Sequence, residues 1–161
     1  MTVADSLTES ARGEGLVLVI DDEVGIRSLL QHALEELGYT VLTAEHGAQG
    51  LELFERSADE IVLVLIDIVM PVLDGAETAI RIREQNSEVP ILITSGIGDD
   101  DALHRFEDVR ISGFVPKPFA PEQLAQAIAM VREGPGRWVG KERRQSGLAR
   151  FQGPERRGSM V

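Results

Sequence analysis

Residues 61–75, IVLVLIDIVMPVLDG, carry the clearest structural signal in the chain. Six consecutive aliphatic residues at 61–66 lead into Asp67 and a turn that contains Pro and Gly. A strand with one solvated face alternates apolar and polar residues, whereas an unbroken Val/Ile/Leu run is typical of a strand buried on both faces of a parallel sheet. The stretch therefore predicts a central strand with helices packed on both sides.

Four other aliphatic runs extend this prediction along the chain. The runs at 16–20 and 91–94 are unbroken, that at 40–44 is less clean, and that at 113–115 is short. Between the runs, apolar residues recur every three or four positions, as in amphipathic helices. The helices are expected to begin near Val24, Ala48, Ala76, Asp99 and Pro121, and the one from Asp99 to about Val109 has the weakest pattern. Five alternating strand–helix units predict a doubly wound α/β domain over residues 15–132 with right-handed crossovers.

Charge is distributed unevenly along the 161 residues. The chain has 27 Asp and Glu against 16 Lys and Arg, a formal net charge of −11. Residues 132–161 contain eight basic and three acidic residues, a net +5, so the preceding residues carry −16. A body this acidic repels phosphate backbones, which argues against DNA binding. The absence of cysteine excludes disulfides, thiol catalysis and Cys-ligated zinc.

The two ends of the chain differ in composition from the predicted domain. Residues 1–14 lack the basic start and apolar stretch of a secretory signal and are predicted to be a flexible segment. The longest aliphatic run, 61–66, is far shorter than the ~20 residues of a membrane span, so we expect a cytoplasmic protein without membrane contact. Residues 133–161 are predicted to be a basic, disordered tail. Within it, Trp138 either packs back on the domain or binds a partner.

Polar residues follow the predicted strands. Asp21 and Asp22 come after the first strand, Asp67 after the third, Thr94 ends the fourth, and Lys117 follows the fifth. Ligands of open α/β sheets bind at the carboxyl ends of the strands, so these side chains are expected to meet at one edge.

Each of these residues also has an ordinary structural explanation. Asp22 could cap the helix that begins near Val24, and Asp67 precedes a turn in which Asp is common. Thr94 could be an ordinary strand residue and Lys117 a solvated charge. Their joint placement at one edge favours a functional site.

This set of residue types indicates phosphoryl chemistry that depends on a metal ion. Clustered carboxylates raise one another's pKa unless a cation neutralises them. Oxygen ligands without His or Cys suit a hard ion such as Mg²⁺. A carboxylate can attack phosphorus to give an aspartyl phosphate, while a hydroxyl and an ammonium hold the oxygens of the transferred group.

Four segments resemble the receiver domain of two-component response regulators. They are LVIDDE at 18–23, DIVMPVLDG at 67–75, ITSG at 93–96 and GFVPKPF at 113–119, in order and at the spacing of that family. The resemblance covers about residues 15–132 and implies a flavodoxin-like strand order of 2-1-3-4-5.

The resemblance also implies roles for individual residues. Asp67 would be the phosphoacceptor, and Asp21, Asp22, Asp67 and the backbone carbonyl of Val69 would hold Mg²⁺. Thr94 and Lys117 would contact the phosphoryl group, and the Lys117–Pro118 bond is expected to be cis. The donor would be a phosphohistidine on a sensor histidine kinase or a histidine phosphotransfer protein.

A switch is implied as well. Phosphorylation would draw Thr94 inward, favour an inward rotamer of Phe114, and reshape the surface of the fourth helix, fifth strand and fifth helix for a downstream protein partner. The resulting hypothesis is a stand-alone receiver that is a phosphoprotein rather than an enzyme, and that either controls partner binding or passes the phosphoryl group onward in a relay. The alternatives are an interaction module that does not use phosphorylation and, from a third class, a phosphotransfer enzyme that acts on small molecules.

Overall fold

The computed structural model describes residues 2–96 and 98–133, and in these residues five parallel strands form one sheet. The order across the sheet is β2-β1-β3-β4-β5, which confirms the predicted doubly wound topology. β2 lies on one side of β1, and β3, β4 and β5 follow on the other side. The strand order therefore changes direction between β1 and β3, and a crevice is expected at the carboxyl ends of these two strands. The strands are β1 Leu16–Ile20, β2 Thr40–Ala44, β3 Ile61–Asp67, β4 Ile91–Ser95 and β5 Gly113–Pro116.

Helices connect the strands, and one further helix precedes the first strand. Among the described residues, no helix combines the length and apolar character that crossing a bilayer requires. The helices are α1 Val3–Ala11, α2 Val24–Glu36, α3 Gly47–Ser57, α4 Gly75–Gln85, α5 Asp100–Leu103 and α6 Pro121–Glu133, and a 3₁₀ turn at His104–Phe106 follows α5.

The sheet is buried on both faces, as its unbroken aliphatic strands predict. In β1, Leu18 and Ile20 pack into the hydrophobic cluster beneath α3 and α4. Val17 and Val19, which point to the opposite face, pack into the cluster beneath α2 and α6. All four side chains are completely buried. Successive strand residues thus serve two separate cores, which is why no polar residue interrupts the run.

The N-terminal segment differs from the flexible segment predicted for residues 1–14. Residues Val3–Ala11 form α1, whose first turn is closed by a capping box between Thr2 and Asp5. A helix of nine residues is marginal on its own, so its stability comes from packing. α1 lies against α6, Ala11 is completely buried, and the Tyr39 hydroxyl donates a hydrogen bond of 3.0 Å to the Ala11 carbonyl.

The fourth predicted helix is shorter than the expected Asp99–Val109. It consists of α5 and the 3₁₀ turn at His104–Phe106. The buried apolar residues of the predicted span are Leu103, Phe106 and Val109, of which Val109 lies beyond the 3₁₀ turn. Their spacing of three residues matches the repeat of a 3₁₀-helix better than the 3.6 of an α-helix.

α6 includes Glu133, the first residue of the predicted tail. Residues 134–161, which include Trp138, lie outside the described residues, and the prediction of a disordered tail stays a prediction.

Candidate functional site

The carboxyl edge of the sheet brings the predicted site residues together. Asp21 follows β1, Asp67 ends β3, Thr94 pairs in register with Asp67 on β4, and Lys117 follows β5. Asp21, Asp67 and Thr94 are only 1%, 5% and 1% exposed. With Ser95 at the end of β4, which is 2% exposed, four polar side chains are therefore buried where the strands end.

Lys117 lies among the carboxylates of this edge. Its Nζ atom is 3.0 Å from Asp21 Oδ2, 3.3 Å from Asp67 Oδ1 and 3.5 Å from Glu23 Oε1. The backbone N–H of Lys117 donates a 2.6 Å hydrogen bond to the Ser95 carbonyl, which ties its loop to the end of β4. The Lys117–Pro118 peptide bond is cis, as predicted.

Four acidic residues form the only cluster with metal-binding character among the described residues. Carboxylate oxygens of Asp21, Asp22, Glu23 and Asp67 all lie within 4.8 Å of one another. Asp21 Oδ2 forms an ion pair with Lys117 Nζ and has no further partner for a hydrogen bond among the described residues. Four carboxylates facing one ammonium leave an excess of negative charge, and their oxygens are the donors that Mg²⁺ prefers. The donor set therefore fits Mg²⁺.

The cluster shifts the pKa of its members. Burial and the negative charge of Asp21 raise the pKa of Asp67 to about 7, although Lys117 opposes the shift. Burial also raises the pKa of Asp21 against the backbone hydrogen bond from Glu23. Burial lowers the pKa of Lys117, but Asp21 and Asp67 outweigh it and the net shift is upward. The site thus favours a proton or a metal ion on its carboxylates and a full charge on its lysine.

Thr94 contributes a buried hydroxyl whose Oγ1 atom has no hydrogen-bond partner among the described residues. Buried hydroxyl groups are normally hydrogen-bonded, and an unsatisfied one costs roughly 1–3 kcal/mol. Thr78 illustrates the normal case, since its equally buried hydroxyl donates a 2.8 Å hydrogen bond to the Asp74 carbonyl. The Thr94 hydroxyl is therefore available to a group that binds beside Asp67.

Backbone contacts hold the turn after β1 in place. Asp21 Oδ1 accepts a 2.8 Å hydrogen bond from the Glu23 backbone N–H, and the Asp21 carbonyl accepts one of 2.7 Å from Arg27 Nη1. The N-cap of α2 is Glu23, and among the described residues no side chain caps this helix. Helix capping therefore does not explain Asp22, whose exposed carboxylate is part of the acidic cluster.

The loop between β3 and α4 closes another side of the site. Val69 is 51% exposed in this loop, whereas Met70 is buried beneath it. Gly75 begins α4 directly against the end of β3, since a Cβ atom there would lie 2.4 Å from the Asp67 carbonyl oxygen and 2.9 Å from Ile68 Cα. Only glycine allows this close approach. That the Val69 carbonyl ligates Mg²⁺ stays a prediction.

The two predicted switch residues lie on adjacent strands. Thr94 pairs in register with Val115, and Ile93 pairs with Phe114. The Phe114 side chain is 8% exposed and packs in the cluster beneath α4 and α5. The aromatic ring is thus already inward, and its response to phosphorylation stays a prediction.

Sequence reasoning did not include Glu23 in the site. Its carboxylate belongs to the acidic cluster and lies 3.5 Å from Lys117 Nζ. The signal was its position directly after the Asp21–Asp22 pair, where the chain turns back over the end of β1.

Comparisons with known proteins agree with this geometry. Residues 17–129 match the family model described as response regulator receiver domain. A probable transcriptional regulator ycf27 of Guillardia theta is 36% identical over 115 residues, which are 71% of this chain and 44% of that protein. The sensor kinase CckA of Brucella abortus is 32% identical over 121 residues, 75% of this chain and 13% of the kinase. The chain therefore spans less than half the length of these relatives.

Solved structures show the same similarity. A response regulator receiver domain protein from Clostridium thermocellum has a TM-score of 0.67 and 31% identity, covering 74% of this chain and 96% of its own. The receiver domain of NtrX from Brucella abortus has a TM-score of 0.64 and 30% identity, covering 73% and 98%. The chain belongs to the response regulator receiver domain family of two-component systems.

Proposed function

We propose that this receiver accepts a phosphoryl group from a phosphohistidine donor onto Asp67 and acts as a phosphoprotein in two-component signalling. The observation that carries the proposal is the buried Asp67 carboxylate, which has Lys117 Nζ at 3.3 Å and the unpartnered Thr94 hydroxyl at the same edge. In this role the protein is a phosphoacceptor that is modified once per signal, and not an enzyme that turns over a separate substrate.

The reaction needs an ionised Asp67 as nucleophile. An oxygen of its carboxylate attacks phosphorus, a new P–O bond forms, and the P–N bond to the donor imidazole breaks with its electron pair leaving to the ring nitrogen. Because the pKa of Asp67 is raised to about 7, part of it is protonated near neutral pH. Asp21, Asp22, Asp67 and the Val69 carbonyl would hold Mg²⁺, which would supply the positive charge that keeps the carboxylate ionised and offsets the charge of the incoming group.

Lys117 and Thr94 provide the remaining contacts. The Lys117 ammonium already lies between Asp21 and Asp67, so it can donate to a phosphoryl oxygen without leaving the site. The Thr94 hydroxyl gains the hydrogen bond that it lacks before phosphorylation. Donors fixed in advance at a site of developing charge supply one of the largest contributions to such reactions.

The output is a change in partner binding. The new contact of Thr94 shifts the packing of Phe114 on the neighbouring strand and thereby the surface formed by α5, β5 and α6. A histidine kinase or a histidine phosphotransfer protein is proposed as the donor, which is supported by the sensor kinase among the relatives. A downstream protein is the proposed recipient, because the acidic charge of the domain disfavours direct binding to DNA.

Phosphorylation by acetyl phosphate tests the proposal. With Mg²⁺ present, the intact mass should increase by one phosphoryl group, and Asp67→Asn should abolish the increase. Asp59→Asn is the matched control, because Asp59 is an exposed acid in the turn before β3, at the opposite edge of the sheet. An unchanged mass for the wild-type protein would favour an interaction module that does not use phosphorylation, and an adduct on Asp67→Asn would place the acceptor at another residue.

The proposed metal ligands have a separate test. Asp22→Ala should weaken Mg²⁺ binding at least about tenfold, because the cluster loses one of its carboxylates. Isothermal titration of both proteins with Mg²⁺ measures the change, and equal affinities would remove Asp22 from the ligand set.

A further inference from the structure

A small hollow lies at the amino edge of the sheet, beside the last turn of α6. Its volume is about 180 Å³, and its apolar wall is formed by Val62, Pro90 and Val131. Small-molecule pockets typically measure about 300–1,000 Å³, so this hollow suits a single side chain better than a ligand. Glu14, Tyr39 and Arg132 line its polar side.

Val62 leaves apolar surface exposed in this hollow. In the pairing of β1 with β3, Leu16 lies opposite Ile61 and Val17 lies opposite Leu63, so Val62 is an extra residue in a bulge. Its side chain is 42% exposed, although the other six residues of β3 are buried. A bulge re-aims a side chain, and here it turns a valine out of the core.

We propose that the hollow is the docking site for Trp138 of the same chain. Trp138 comes five residues after Glu133. Five residues of fully extended chain reach at most about 17 Å. Val131 and Arg132, which line the hollow, lie within one turn of the end of α6. Gly134, Pro135 and Gly136 follow the helix, and these residue types end a helix and allow the chain to turn back.

The hollow offers what an indole ring requires. An aromatic side chain buries about 150–250 Å² and needs a partner for its polar atom when buried. The apolar wall at Val62 receives the ring, and the Glu14 carboxylate can accept a hydrogen bond from the indole N–H. Arg132 Nη1 donates a 3.1 Å hydrogen bond to the Tyr39 hydroxyl, which holds the guanidinium beside the hollow for a cation–π contact.

Docking would fix where the basic part of the chain leaves the domain. Residues 134–161 contain seven Lys and Arg against two Glu. With Trp138 in the hollow, this charge starts from the amino edge of the sheet, at the opposite end from Asp67. The inference does not depend on phosphorylation and can be tested without it.

Fluorescence gives a direct test because the chain has one tryptophan. In the wild-type protein, Trp138 emission should be shifted to shorter wavelength, and acrylamide should quench it about threefold less than N-acetyltryptophanamide, because the ring is buried. Quenching equal to that of the free tryptophan derivative would overturn the proposal.

Substitutions then locate the ring. Val62→Asp should shift the emission to longer wavelength and raise quenching towards the free value. The matched control is Val72→Asp, since Val72 is fully exposed in the β3–α4 loop near the other edge, and it should change neither quantity. Circular dichroism verifies that both variants are folded. Unchanged Trp138 fluorescence in a folded Val62→Asp protein would overturn the assignment of the hollow.

A second variant leaves the residues of the hollow unchanged, so its result does not depend on whether Val62→Asp folds. Trp138→Ser should accelerate amide hydrogen exchange at the beginning of β3, because the cover over Val62 is lost, and equal exchange would contradict docking. The quenching is also measured at several protein concentrations. Protection that disappears on dilution would show that Trp138 enters the hollow of a second copy and would overturn docking within one chain.

Discussion

Polar and charged groups at the two edges of the sheet differ in how far their hydrogen bonds are satisfied. At the amino edge, the half-buried Arg83 donates hydrogen bonds of 2.8 Å to the Arg110 carbonyl and 2.6 Å to the Val89 carbonyl. Burial lowers the pKa of Arg83 to about 10, so the guanidinium remains charged at neutral pH. At the carboxyl edge, Asp67 is crowded by other carboxylates, and the Thr94 hydroxyl has no hydrogen-bond partner among the described residues.

This contrast separates stability from function within one sheet. The polar groups at the amino edge satisfy one another and secure the loops that precede β4 and β5. At the carboxyl edge, Asp21 Oδ2 and Thr94 Oγ1 are buried without a hydrogen-bond partner among the described residues, which is the arrangement expected of a binding site. Substitutions at the two edges should therefore affect different measurements.

The largest expected effect separates two buried threonines. Thr94→Val should reduce the rate of phosphorylation by acetyl phosphate about 100-fold, because a donor to the phosphoryl group is lost. Its free energy of unfolding should rise by about 1 kcal/mol or more, since the substitution removes a buried hydroxyl that has no hydrogen-bond partner among the described residues. Initial rates from phosphate-affinity gels and urea unfolding measure the two effects.

Thr78→Val is the control for this prediction. Thr78 is as buried as Thr94 but donates a hydrogen bond to the Asp74 carbonyl. The substitution should lower the free energy of unfolding by about 1 kcal/mol and leave the phosphorylation rate unchanged. Equal behaviour of the two variants would remove the distinction between satisfied and unsatisfied threonines.

The acidic edge should also make stability depend on pH in the absence of metal. The pKa of Asp67 is about 7 in the folded protein and about 3.9 in an unfolded chain, so between these values only the folded state holds the proton. The contribution of this group to stability should be greatest below about pH 4 and should fall as pH rises towards 7, by at most about 1.4 kcal/mol per pH unit. Urea unfolding in EDTA measures the slope.

Two controls assign this slope to the acidic cluster. Asp67→Asn should flatten it, whereas Asp59→Asn should not. Added Mg²⁺ should also flatten it, because the cation stabilises the ionised cluster in the folded state. A slope of the same size in Asp67→Asn would place its origin elsewhere.

At the amino edge, stability should respond without a change in phosphorylation. Arg83→Met keeps the aliphatic part of the side chain but leaves the carbonyls of Val89 and Arg110 without their donor, and it should cost about 2 kcal/mol. Arg81→Met is the control on the same helix, because the exposed pair of Arg81 with Glu77 contributes no more than about 0.5 kcal/mol. Urea unfolding measures both, and phosphorylation of folded Arg83→Met should match the wild type.

The smallest effect is expected at α1, the helix that precedes β1 and packs against α6. Thr2→Ala removes the N-cap and should weaken α1 by about 1 kcal/mol, seen as faster hydrogen exchange of the first helical turns. Glu9→Ala, which removes only an exposed ion pair with Arg12, should leave this exchange nearly unchanged. Identical exchange in the two variants would mean that packing alone holds α1.

The sequence was sufficient for the sheet and for most of the candidate site because both depend on local patterns. The unbroken run that leads into Asp67 identifies a buried strand and its polar end in the same fifteen residues. Since parallel strands place their carboxyl ends at one edge, the strand ends also predict which side chains meet. The position of Asp21, Thr94 and Lys117 beside Asp67 could therefore be predicted without knowledge of any long-range contact.

The features that were missed depend on contacts between distant segments. α1 has little apolar surface of its own and is held against α6, where Ala125 and Ala129 are buried outside the stripe of Leu124 and Ile128. Alanine fits both a buried and an exposed helix face, so its spacing did not indicate a second contact. The hydrogen bonds of Arg83 go to carbonyl groups of surrounding loops, and such contacts leave no pattern in the residue types.

The approach of Gly75 to Asp67 has a mechanical consequence. A methyl group at position 75 would collide with the main chain at the end of β3, so the beginning of α4 and the end of β3 are in direct contact. The end of β3 therefore cannot slide towards this helix, and any movement of the strand end on binding at Asp67 is directed away from α4.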